Sequence, residues 1–204
     1  GLDPNYSIYD QADQVAAMKQ AIERVGLDTN HYPATGMLGV ISKIKNDMLS
    51  ADQYREQAQG WQAEKIADLM VAYNAVLAEQ NALDFDDLLI RMANLLGEQA
   101  DLREELEHRY QYVLVDEYQD TNRAQYLIAR GLALSHENLC VTGDPDQSIY
   151  AWRGADIHNI LQFEEDFPKA KVVRLEQNYR STPQILAAAD SLIAHNHKRK
   201  KKTL

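Results

Sequence analysis

Two strand-length apolar runs, each closed by a polar turn, constrain this chain most. Tyr110 to Val115 reads Y-Q-Y-V-L-V and ends at Asp116-Glu117. Asn138 to Thr142 reads N-L-C-V-T and ends at Gly143-Asp144. Between them Tyr126, Leu127, Ile128, Leu132 and Leu134 suggest a helix. Strand, helix and strand, with both strands continuously apolar, is the pattern of a buried parallel sheet. Lys171 to Leu175 (K-V-V-R-L) is a third candidate strand. The fold class is therefore α/β over the second half.

The first 80 residues or so read differently. Val15, Met18, Ile22 and Val25 recur at helical steps after Asp10, and Gly26 is a stop. Residues 30–36 read as a loop. Leu38, Ile41, Ile44 and Leu49 suggest a second helix. Ser50 and Gln53 have capping-box spacing and open a long third one, striped by Ile66, Leu69, Met70, Tyr73, Val76 and Leu77. Asp84 caps another helix through Phe85, Leu88, Leu89 and Met92, and Ser181 with Gln184 opens the last.

Composition narrows the function. Of 204 residues, 31 are acidic and 21 basic, a net charge of −10. That balance argues against a bulk electrostatic grip on nucleic acid. The average hides a skew, because Lys198 to Lys202 reads K-R-K-K-K. A charge run near a terminus is usually solvated, though it also suits phosphate. The single Cys140 excludes a disulfide scaffold and a Cys-rich zinc site. The six His have no metal spacing. No apolar run reaches the roughly 20 residues of a membrane span, so no membrane partner and a cytoplasmic setting are expected.

Three constellations carry chemistry. Asp116 and Glu117, in V-D-E-Y-Q-D, sit where open α/β sheets bind ligands. One carboxylate there can hold a divalent cation while its neighbour orients or deprotonates a water. The plainer alternative is that acids favour the first turn of a following helix. Gln119 and Asp120 raise the functional odds. The second is G-D-P-D-Q-S-I-Y-A-W-R-G, Gly143 to Gly154. Gln147 can reach a phosphate oxygen or an attacking water. Tyr150, Trp152 and Arg153 place two rings and a guanidinium together, which suits stacking on unpaired bases. The alternative is that both rings are core anchors. The third is L-E-Q-N-Y-R-S-T, Leu175 to Thr182. Here Tyr179 and Arg180 offer a stacking ring and a phosphate fork, against an ordinary helix cap beside a surface Arg.

In this order the motifs resemble those of the UvrD/Rep/PcrA-type superfamily 1 ATP-dependent DNA helicases. D-E-Y-Q-D-T-N is similar to that family's motif II, G-D-P-D-Q-S-I-Y-A-W-R-G-A to motif III, and L-E-Q-N-Y-R-S-T to motif IV. D-F-D-D-L-L (Asp84 to Leu89) extends the likeness weakly. The resemblance implies an incomplete RecA-like P-loop NTPase sheet with an all-helical insertion. Residues 1–82 would be the insertion, 83–168 the second half of the first RecA-like domain, and 169–204 the start of the second. ATP and Mg²⁺ are the implied cofactors. The implied partners are single-stranded and duplex DNA, with repair or replication proteins as further candidates. Asp116 would hold Mg²⁺, and Glu117 would activate water. Gln147 would sense the γ-phosphate, Tyr179 would stack on adenine, and Arg180 would act as an arginine finger. Tyr150, Trp152 and Arg153 would line the DNA path. No G-x-x-x-x-G-K-[ST] occurs in the 204 residues, so the chain by itself is expected to be inactive. Its 110–168 part is expected to be partly disordered or self-associated, because apolar sheet edges are left open. Two other readings are a non-catalytic DNA- or protein-binding module and a metal-dependent nuclease built on Asp116, Glu117 and Asp120.

Overall fold

The computed structural model describes residues 3–151, 154–161 and 163–195. Trp152, Arg153, His197 and the basic run Lys198 to Lys202 lie outside the described residues.

The chain opens with a two-residue strand, β1 (Ser7–Ile8), and helix α1 (Gln11–Arg24). Asp10 caps α1 in a reciprocal box with Asp13, and Gly26 (φ +66°) ends it as expected. Helix α2 (Ala34–Asn46) starts inside the expected 30–36 loop, just after Pro33. Proline has no N–H to leave unpaired at a helix start, and its fixed φ admits the turn.

The expected long third helix is two helices, α3 (Ala51–Ala58) and α4 (Trp61–Glu79). Ser50 and Gln53 do form the capping box of α3. The break falls at Gln59 and Gly60, with φ of +46° and +91°. Left-handed residues cannot continue a right-handed helix, and glycine takes such a φ without a Cβ penalty. The α4 stripe is buried as its spacing predicts. It packs against Met18, Ile22, Ile41 and Ile44 in one core. Strand β2 (Ala82–Leu83) then pairs in parallel with β1.

Helix α5 (Phe85–Glu98) is capped by Asp84, which Asp87 reciprocates. Phe85 begins it 59% exposed, not in the core that its apolar spacing suggests. Helix α6 (Ala100–Arg109) was not foreseen; its sequence is charged, with little apolar period. Next come β3 (Val113–Val115), α7 (Arg123–Gly131) and β4 (Leu139–Val141). The two strands pair in parallel, Val113 opposite Leu139 and Val115 opposite Val141. The expected strand–helix–strand unit is therefore present. Helix α7 packs on α5.

The sheet is not buried on both faces. Val113 and Val115 are half-buried, whereas Leu114 and Cys140 are exposed. Side chains alternate across a strand, and the described residues cover one face only. The chain closes with short helices α8 (His158–Leu161) and α9 (Phe163–Asp166) and with α10 (Pro183–Ile193).

Two expectations fail in this last part. Residues 171–175 form no strand, and Val173 and Leu175 are 66% and 88% exposed. A strand needs a paired neighbour, and none of the described residues supplies one here. The cap of α10 is Thr182, not Ser181, and its side chain makes no capping bond. Pro183 occupies the first helical turn and fixes the boundary. Asn178 Oδ1 instead collects the N–H groups of Arg180 and Ser181, at 2.8 and 2.9 Å.

Candidate functional site

Both strands of the β3–β4 pair end on polar loops, which their register sets side by side. The Thr142 N–H donates to the Val115 carbonyl, and the Tyr118 N–H donates to the Thr142 carbonyl, each at 2.9 Å. The residues after Val115 are thereby stitched to those after Val141.

Asp116 comes first. Its Oδ1 accepts the Thr142 hydroxyl and, at 2.9 Å, the Glu117 N–H. These two donors, the hydroxyl foremost, hold its carboxyl below the usual carboxylate range. Glu117 follows in a left-handed conformation, φ +50°. For a glutamate that costs on the order of 1–3 kcal/mol. The turn Tyr118–Asp120 holds it there. Asp120 N–H donates to the Glu117 carbonyl at 2.9 Å. Tyr118 is 1% exposed, its ring 5.6 Å from that of Phe163 in an edge-on contact. Burial is also the main reason the Tyr118 hydroxyl resists ionisation.

Gln119, also 1% exposed, ties this turn to the loop after β4. Its amide donates to Glu117 at 2.7 Å and accepts from the Asp144 N–H at 3.0 Å. Asp144 heads the turn Pro145–Gln147 and accepts the Gln147 amide at 2.7 Å. Gly143 has a steric reason. A Cβ there would overlap the Gln119 amide oxygen and meet Ile160 Cδ1 at 2.9 Å.

These loops form one wall of a cleft of about 740 Å³, through Glu117, Gly143, Asp144 and Gln147. Residues 177–180 form the other. Of the candidates read from sequence, the cleft unites Glu117, Gln147, Tyr179 and Arg180. Tyr179 is 91% exposed, so its ring is available for stacking. Asp116 lies one residue from the lining. Tyr150 does not line the cleft and is 38% exposed; Trp152 and Arg153 are outside the described residues.

A second polar centre joins the helical part to these loops. Asn122, the α7 cap, donates to Asn46 Oδ1 at 2.7 Å. Asn46 Nδ2 donates to Ser42 and Asp86 at 2.9 and 3.1 Å. Gly154, at φ +84°, packs against Asn46. Beside it, buried Lys45 pairs with Asp84 and Asp87 at 2.7 and 2.8 Å. Sequence spacing gave no signal for Asn46, Lys45 or the Gln119 cross-link. Each depends on partners brought from elsewhere in the chain.

A parallel strand–helix–strand unit makes this a mixed α/β protein, with its polar cleft at the strand ends, where open α/β sheets place their ligand crevices. Among the described residues no helix is long and apolar enough to cross a membrane. The family model of the UvrD/REP helicase N-terminal domain matches residues 1–168, and the chain belongs to this family. It is similar along its whole length to proteins called ATP-dependent DNA helicase PcrA. Identity is 44% for that of Bacillus subtilis, 43% for that of Staphylococcus epidermidis and 46% for that of Leuconostoc citreum. The chain spans 27–28% of the length of these relatives.

Proposed function

We propose that this chain is part of an ATP-dependent DNA helicase that couples hydrolysis to movement on single-stranded DNA and to duplex unwinding, in repair or replication. The observation that carries the reading is the cleft shared by Glu117, Gln147, Tyr179 and Arg180. In this reading residues 1–82 are a helical insertion, 83–168 the second half of a first RecA-like domain, and 169–204 the start of a second.

The residues present fit Mg²⁺-ATP. Asp116 is an exposed carboxylate kept ionised by its neighbours, and both of its hydrogen bonds fall on Oδ1. Mg²⁺ commonly takes one or two carboxylates together with phosphate oxygens. An exposed ring and a guanidinium on the opposite wall suit a base and a phosphate. Bound Mg²⁺-ATP supplies the phosphoryl group and the charge that neutralises it. Asp116 would hold the cation, which would supply charge to offset the phosphates. Glu117 orients the attacking water and takes its proton. Gln147 contacts the γ-phosphate. Tyr179 stacks on adenine, and Arg180 offsets charge at the γ-phosphate. Tyr150, Trp152 and Arg153 grip successive bases. DNA is the partner, with repair or replication proteins beside it.

The test is DNA-stimulated ATP hydrolysis and strand displacement by the full-length protein. Glu117→Gln should lower turnover roughly 10²–10⁴-fold and retain nucleotide binding. Turnover near that of the wild type refutes the assignment. Trp152→Ala should weaken single-strand binding and leave nucleotide binding intact. The 204-residue chain alone should not turn over ATP, and appreciable DNA-dependent hydrolysis by it would overturn that expectation.

A further inference from the structure

Gln119 is a polar side chain between acids, yet it is 1% exposed. Its amide is fixed at both ends. Oε1 accepts from the Asp144 N–H at 3.0 Å. Nε2 donates to Glu117 Oε2 at 2.7 Å and to Asp120 Oδ2 at 3.3 Å. A backbone N–H can only donate, so the end facing Asp144 is the oxygen and the NH₂ faces both carboxylates. Its main-chain carbonyl accepts the Ser148 hydroxyl at 3.3 Å. Gly143 leaves the space that the amide occupies.

Glu117 needs such a holder. It is exposed, on a left-handed residue at a cleft wall. A free glutamate there samples several rotamers, whereas a general base works only within hydrogen-bond reach of its water. The link also runs onward, since Asp144 accepts the Gln147 amide at 2.7 Å.

We infer that Gln119 is a positioning residue for hydrolysis: its buried amide fixes the Glu117 carboxylate toward the attacking water and joins it, through Asp144, to Gln147. The inference rests on the proposed role of Glu117 as base. Gln119 does not line the cleft, so it acts through Glu117.

The test is steady-state ATP hydrolysis by the full-length protein with saturating single-stranded DNA. Wild type, Gln119→Glu, Gln119→Leu and Glu117→Gln are compared across pH. An ionised glutamate at 119 presents a third carboxylate to Glu117 and Asp120. A protonated one keeps the C=O acceptor and restores one donor, an O–H that can replace the shorter bond to Glu117 but not also the one to Asp120. Burial and like charge favour its protonated form, which is lost as pH rises. At about pH 8 both Gln119 variants should lose kcat by roughly tenfold to a hundredfold. KM for ATP should stay within about twofold. As pH falls toward about 6, Gln119→Glu should recover relative to wild type and Gln119→Leu should not.

A merely structural residue would lower stability without that recovery. Wild-type kcat in Gln119→Glu, a loss confined to KM, or a pH profile parallel to wild type overturns the inference. If the leucine variant does not fold, the glutamate variant decides alone. Glu117→Gln separates the two levels. If it retains turnover, the reading of Glu117 fails and this inference with it. If it is inactive while Gln119→Glu matches wild type, only the role of Gln119 falls.

Discussion

Replacing Lys45 by Met keeps the alkyl volume and removes the charge. Lys45 is 3% exposed, and its Nζ lies 2.7 Å from Asp84 Oδ2 and 2.8 Å from Asp87 Oδ1. Asp84 has a 4% exposed side chain; among the described residues its remaining donors are the Tyr73 hydroxyl at 3.2 Å and the Asp87 N–H at 2.8 Å, neither of them charged. Removing one partner of a buried pair costs about 3–5 kcal/mol, because the remaining charge has no counterion. The Asp87 side chain is 16% exposed and regains some water, so the lower part of that range applies, about 3–4 kcal/mol. For a chain of this size that lowers Tm by about 6–16 °C. Thermal unfolding followed by circular dichroism measures it. Asp84→Asn keeps a good helix cap. The double variant Lys45→Met with Asp84→Asn should therefore be at least about 1 kcal/mol more stable than the sum of the single effects. A Lys45→Met loss under about 1 kcal/mol, or strict additivity, refutes the claim that this ion pair anchors α2 to the α5 cap.

Two further outcomes follow from the site. Thr142→Val removes the main donor to Asp116, so the Asp116 midpoint should rise toward the ordinary carboxylate value. Because the folded value is lowered, the associated stability is present above the ordinary carboxylate range and is lost as pH falls through the lowered midpoint. Carboxyl-carbon NMR should show the two titrations coinciding above about pH 6 and separating in acid, and an unchanged midpoint counts against the contact. Asn122→Asp keeps the α7 cap and removes the donor to Asn46 Oδ1. It should cost about 1–3 kcal/mol in urea unfolding, with m unchanged, and a neutral result means that the buried Asn pair contributes nothing.

Much of the candidate site was legible because its residues are contiguous. Asp116–Glu117, Gln147 and Tyr179–Arg180 each stand in a short motif after a strand-like run. Their functional reading needs all three motifs together, since each has a plain structural alternative. The cross-links were not legible. Gln119 and Asp144 are 25 positions apart, and Asn46 and Asn122 are 76 apart. No helical or strand period joins such pairs.

What the sequence determined by itself was local. The capping box at Ser50, the helix cap at Asp84, the α4 stripe and the strand–helix–strand order follow from side chains a few positions apart, whose geometry the backbone period dictates. Tertiary structure decided the rest. It exposed Phe85 and, among the described residues, left 171–175 without a strand partner. It held Glu117 left-handed and gathered two walls of one cleft. Those outcomes depend on which groups meet across the fold. Burial and buried hydrogen bonds reward contacts between distant segments, and propensity does not encode them.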